Sequence, residues 1–123
     1  MFNARFAKPG TPVDVISVPV TSLDTWMAER GLDPPDLIRM DMEGGEPGAL
    51  KGMARTLAEH SPDLVVEVLP ASETELKDAL QRAGYTTYTI GRQGWLHPRA
   101  LCSDPSLNRD WYATRRPADP YLR

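Results

Sequence analysis

The chain reads as an open α/β sheet whose strands are joined by crossover helices. Three observations lead there: a nearly unbroken apolar run at PDLVVEVLP, three helical stripes with their own start and stop residues, and a regular alternation of the two along the chain. Strand, helix, strand, helix, strand, helix, strand is the expected order, with connections of βαβ length.

Residues 1–12 carry Pro9, Gly10 and Pro12 and little periodicity, which predicts a loop or an edge hairpin. VDVISVPV follows. Val13, Val15, Ile16, Val18 and Val20 are β-branched, so the segment is a strand candidate, while Pro19 confines it to an edge or a strand end. A helix near residues 22–30 is capped by Ser22, shows Leu23, Trp26 and Met27 on one face, and stops at Gly31 before Pro34 and Pro35.

DLIRMDMEG forms the second expected strand, bounded by Pro35 and by Gly44 and Gly45. A helix near 47–60 opens on Pro47, places Glu46 at its positive end and shows Leu50, Met53, Ala54 and Leu57 as an apolar stripe ending at Pro62. PDLVVEVLP is the strand expected to lie centrally and be covered on both faces, with Glu67 its one charge. Ser72 and Glu75 form a capping box for a helix near 72–83 carrying Leu76, Ala79 and Leu80 and closed by Gly84. YTTYTI gives another strand, and RDWYATR offers a last short one.

Charge and composition narrow the function classes. At net charge -3 and a pI near 5.3, the chain lacks a general attraction for nucleic acid phosphates or anionic lipid, so neither partner is expected. Arg109, Arg115, Arg116 and Arg123 gather in the last fifteen residues, where a solvated tail accounts for them at least as well as a phosphate site does, with residues 116–123 set apart as the tail proper. Cys102 is the only cysteine and His60 and His97 the only histidines, so an intrachain disulfide and a zinc site are excluded and a reducing, cytoplasmic setting fits. Residues 1–15 show no apolar segment of signal-peptide length, so no export signal is expected, and no apolar run is long enough to span a membrane.

The most unusual stretch is DMEGGEP, three carboxylates at the junction of a strand end and a helix start. In open α/β sheets ligands bind outside the carboxyl ends of the strands, which makes Asp41, Glu43 and Glu46 candidate site residues. The structural alternative has Asp41 bracing the turn, the glycines serving a tight bend and Glu46 complementing the helix dipole. An EF-hand calcium loop does not match the spacing, and no metal site is assigned. Glu67 stands open between a structural carboxylate and a site role.

At these residues the chain resembles the FkbM-family methyltransferases. Thr21, Leu23 and Asp24 answer a v-x-v-T-x-L-D block, and Ile38, Asp41, Glu43, Gly44, Glu46, Leu50 and Gly52 answer I-K-x-D-v-E-G-x-E-x-x-v-L-x-G, with Arg39 and Gly45 as mild departures. The resemblance covers roughly residues 13–115. It implies a partial Rossmann-like, class I methyltransferase sheet that lacks the N-terminal cofactor-binding half. It further implies S-adenosylmethionine as cofactor and methyl transfer to a hydroxyl oxygen of a sugar or other small molecule. Asp41 or Glu43 would act as base or acceptor-positioning group and Glu46 would support the turn. The family's glycine-rich cofactor turn and the acidic residue for the ribose are absent, so a fragment inactive alone is expected, one that works with a separate N-terminal half or as a homodimer. The other reading is a non-enzymatic remnant that binds a partner or itself through an exposed sheet edge.

Overall fold

The computed structural model describes residues 10, 12, 14–91, 93–98 and 109–122. Most of the expected N-terminal loop, and Cys102, lie outside them. Along the chain run α1 (Leu23–Arg30), β1 (Leu37–Met40), α2 (Glu46–Gly52), α3 (Ala54–His60), β2 (Asp63–Glu67), α4 (Glu73–Arg82), β3 (Thr86–Ile90), β4 (Leu96–His97) and β5 (Asp110–Thr114), then a 3-10 turn at Asp119–Tyr121. The strands form one sheet in the order β1-β2-β5-β3-β4.

β1 and β2 pair in parallel, with Leu37 opposite Asp63 and Met40 opposite Val66. β5 inserts antiparallel between β2 and β3, and β4 returns antiparallel on the outer side of β3. The sheet is therefore mixed. β1, β2 and β3 run in one direction, so the α2–α3 and α4 connections are crossovers, the second reaching past the position that β5 fills.

Helix ends follow the local chemistry with two exceptions. Ser22 Oγ accepts the Thr25 N–H, and Gly31 closes α1 at φ 60°, where a side chain would be strained. Ser72 precedes α4 as expected, but its hydroxyl donates to Leu69 O instead of capping the helix, so the capping box does not form. The helix expected over 47–60 is broken at Met53, whose φ of -124° interrupts it between α2 and α3. That break re-phases the stripe: Leu50, Met53 and Leu57 are buried, Ala54 is exposed, and Thr56 goes inside.

The core lies on one face of the sheet. Leu64, Val66 and Val68 of the β2 segment, Met40 of β1, and Trp111 and Ala113 of β5 meet Leu50, Met53 and Leu57 from above α2–α3 and Leu76 and Leu80 from α4. Each of these large side chains contributes about 1.5–3 kcal/mol by leaving water. On β2 burial alternates, with Val65 and Glu67 only half-buried. The expectation of a strand covered on both faces is thus corrected, because the helices stack on one side alone. A smaller cluster of Tyr88, Leu96 and Ala118, with Tyr112 and Leu122 against it, forms separately.

Two further expectations fail. Residues 14–20 form no strand: Val15, Ile16, Val18 and Val20 are 65–90% exposed, so β-branched composition without a buried face did not suffice. α1 is consequently not a crossover between strands, and β1 lies at the sheet's edge. The tail is solvated in part as expected, with Arg115, Arg116, Pro117 and 119–121 exposed, but it folds back through buried Ala118 and the bridge of Leu122 to Leu96. Arg115, just before it, donates from Nε to Ala83 O at 2.8 Å and from Nη1 to Ser61 Oγ at 2.8 Å, and lies over the Tyr85 ring.

Candidate functional site

β1 ends at Met40 and the chain turns tightly before α2. Gly45 N–H donates to Met42 O at 3.1 Å, and Glu46 Oε1 accepts the Met42 N–H at 2.7 Å. Glu43 and Gly44 both take positive φ, 52° and 98°, to complete the bend. A left-handed conformation is costly for a glutamate and free for a glycine, so the turn holds Glu43 in place at some expense. A Cβ on Gly45 would come within 3.3 Å of Met42, so this glycine serves the turn's own packing.

Of the three candidate residues, the structure gathers two. Carboxylate oxygens of Asp41, Glu43 and Glu67 lie within 4.8 Å of one another. Glu46 is not among them: it is fully buried, stitches the turn through Met42, and leaves Oε2 without a hydrogen-bond partner among the described residues. Glu67 joins because β1 and β2 are in parallel register, so Asp41, one step beyond the Met40–Val66 pair, comes level with Glu67. Asp110 sits opposite Glu67 on the other side, through the β2–β5 pairing. Arg39 donates from Nη2 to Asp41 Oδ2 at 2.9 Å across an exposed surface.

The electrostatics follow from this crowding. Burial, a hydrogen bond with Asp41, and the negative charges of Asp41, Glu43 and Asp110 together raise the Glu67 carboxyl above its ordinary value of 4.5. Glu67 thus holds a proton more readily than an ordinary glutamate, beside Asp41 and Glu43, whose carboxylates are exposed. Such a cluster can accept a proton from a hydroxyl or orient it. Its oxygens also have a spacing a hard divalent cation accepts.

Glu67 was visible as the lone charge in an apolar strand. The signal for its role was register, one residue past the strand's last apolar pair. Asp110 gave no signal, because its strand lies distant in sequence and enters the sheet antiparallel. A cavity of about 820 Å³ adjoins the turn, lined by Val20, Leu23, Trp26, Met42, Gly45 and Ala49 among others. It touches the turn but none of the carboxylates.

An α/β sheet with an acidic strand-end turn places the chain among folds that bind ligands at that edge. The sequence matches the methyltransferase FkbM domain over residues 1–87, and the chain belongs to that family. The match begins before residue 13 and stops within β3, earlier than the 13–115 span of the resemblance. No curated protein and no solved structure matches it. No helix among the described residues is long and apolar enough to cross a membrane.

Members of this family generally use S-adenosylmethionine, and the residues present fit only part of it. The carboxylate cluster suits a cationic sulfonium. For the adenosine, the described residues offer no glycine-rich turn: Gly44 and Gly45 are spent on the acidic bend.

Proposed function

We propose that the chain is the acceptor-side part of an S-adenosylmethionine-dependent methyltransferase that modifies a hydroxyl oxygen of a small molecule or sugar, on a Rossmann-like sheet whose cofactor-binding half is not in this sequence. The observation that carries this reading is the convergence of Asp41, Glu43 and Glu67 at the carboxyl ends of parallel β1 and β2. S-Adenosylmethionine supplies an already activated methyl group, which leaves the protein to orient the acceptor and take its proton. Asp41 and Glu43, exposed at the strand end, accept the hydroxyl's hydrogen bond. Glu67, with its raised pKa, is placed to receive the proton by way of Asp41. Glu46 supports the turn through Met42 N.

Complementation tests the reading. Labelled methyl transfer to a panel of small hydroxyl compounds should be absent with the chain alone and appear when it is co-expressed with a first strand and glycine-rich turn from the same family. Asp41→Asn should then abolish it. Transfer that fails to appear on complementation favours the second reading, a non-enzymatic partner-binding module. That reading rests on the open β1 edge and the exposed apolar segment before α1.

A further inference from the structure

Glu67 has an acidic neighbour on each side. Toward β1 its carboxyl hydrogen-bonds Asp41, and Glu43 lies just beyond. Toward β5 the antiparallel register sets Asp110 directly opposite it. Residues so paired stand with their Cβ atoms about 4.5–5.5 Å apart, and like charges there destabilise a sheet. Of the nearby cations, Arg39 is spent on Asp41, to which it donates at 2.9 Å, and Arg109, the residue before β5, is exposed. Tyr112, two residues along β5, stays uncharged, because burial raises its phenol above the ordinary value of 10.0. The charges acting on Glu67 are therefore negative, those of Asp41, Glu43 and Asp110.

We propose that Asp110 is a positioning residue of this site: held opposite Glu67 by the β2–β5 pairing, it keeps the proton of the Asp41–Glu67 pair on Glu67. The inference rests on the methyl-transfer reading for its purpose but not for its test. The sheet order polarises the pair, because Arg39 stands at Asp41 and Asp110 at Glu67, a cation beside one carboxyl and an anion beside the other. A proton comes to rest where the surroundings are more negative and less hydrated, and Glu67 is half-buried where Asp41 is exposed. As the acceptor's O–H bond breaks, Asp41 takes the proton, passes one to Glu67 through the hydrogen bond between them, and is left charged for the next acceptor. Glu67 then gives its proton to water. Neighbouring carboxyls in such unlike surroundings divide the acid and base roles between them. β5 lies outside the residues 1–87 that match the family, so this third acid comes from the way the sheet closes and not from the strand-end motif.

Carbon-detected NMR titration of the side-chain carboxyls on the 123-residue chain tests this without any methyl transfer. The Glu67 midpoint should lie above that of an ordinary glutamate and move to lower pH in Asp110→Asn, which keeps the shape and drops the charge. Asp110→Ser should move it the same way, while Asp78→Asn, which removes an exposed charge on α4, should leave it in place. In the complemented enzyme, Asp110→Asn should shift the acid limb of the kcat profile to lower pH and reduce kcat at neutral pH, with the acceptor's KM unchanged, because Asp110 acts through Glu67 and not on the acceptor. A Glu67 midpoint that stays put in both Asp110 variants overturns the proposal, whatever the enzyme does. A midpoint that moves while complementation yields no transfer upholds Asp110's hold on the proton and sinks the methyl-transfer reading alone.

Discussion

Asp24 of α1 caps the first turn of α3 across more than thirty residues of sequence. Its Oδ2 accepts the Arg55 N–H at 2.8 Å, while its Oδ1 accepts the Thr56 N–H at 3.0 Å and the Thr56 hydroxyl at 2.6 Å. Arg55 Nη2 returns a bond to Asp24 O at 2.9 Å. α3 needs this, because Met53 at its start supplies no side-chain cap. The break between α2 and α3 and the aspartate of the T-x-L-D block are therefore parts of one device.

Replacing Asp24 with alanine should cost about 1–2 kcal/mol, the range of a lost helix cap, read as a lower denaturant midpoint at constant slope. Burial works to raise its carboxyl's pKa, but the bonds from Thr56 and Arg55 outweigh it and hold the value below 3.8. A depressed pKa means the stabilisation is complete above that ordinary value and is lost as pH falls below it. Wild type and Asp24→Ala should thus converge in stability towards pH 2–3. A gap that stays constant down to that range would show the carboxylate is not the cause.

Gly52 stands at the other side of the same junction. A Cβ there would come within 3.2 Å of Ser22 Cβ and 3.5 Å of Ser22 Cα. Alanine would gain up to about 1 kcal/mol of helix propensity, so the sign depends on whether Ser22 can move. It is held by its bonds to the Thr25 N–H and Thr25 hydroxyl and by Trp26 N–H on its carbonyl. Overpacking of about 1–3 kcal/mol therefore wins, and Gly52→Ala should be less stable than wild type by about 1 kcal/mol in chemical denaturation. A more stable variant would show that α1 shifts freely on α2.

Glu67 gives the opposite pH dependence to Asp24. Its pKa is raised, so the folded state binds the proton more tightly than the unfolded chain does. The resulting stabilisation is present below the ordinary value of 4.5 and is lost as pH rises through the raised one. Glu67→Gln, which keeps the shape and drops the charge, should melt higher than wild type at pH 7 and lose that advantage below about pH 4.5. An advantage that persists in acid would mean that the neighbouring carboxylates do not crowd it.

How far the sequence reaches is set by what each residue's neighbours are. α1, α4, β1, β2 and β3 were legible because their caps, breakers and apolar spacing lie within one segment. Residues 14–20 misled because β-branched composition reports a preference for a pleated, half-buried surface, and the described fold provides none for them. The one-sided burial of β2 was hidden for the same reason: its apolar run does not say which layers cover it. In the site, Asp41 and Glu43 were readable as a strand-end pair. Glu67 needed the register of β1 on β2, and Glu46, grouped with them by spacing, turned inward to bond Met42.

In folds of this type the tight grip on a nucleoside comes from backbone N–H groups at a glycine-rich turn opening a helix, together with an acidic contact to the ribose. Among the described residues, the turn opening α2 is the one rich in glycine, and it is committed elsewhere: Gly45 N–H bonds Met42 O, Glu46 fills the space below with its buried side chain, and the outward surface is lined by Asp41 and Glu43. Carboxylates favour a sulfonium but offer an adenine ring no apolar slot, and the ring and ribose make up the larger part of the ligand. Titration calorimetry of S-adenosylmethionine into the 123-residue chain should therefore show no saturable binding in the micromolar range. Asp41→Asn should leave that result unchanged. Micromolar binding by the chain alone would mean that the cavity lined by Leu23, Trp26 and Met42, and not a separate half, receives the adenosine. Trp26→Ala should then abolish it.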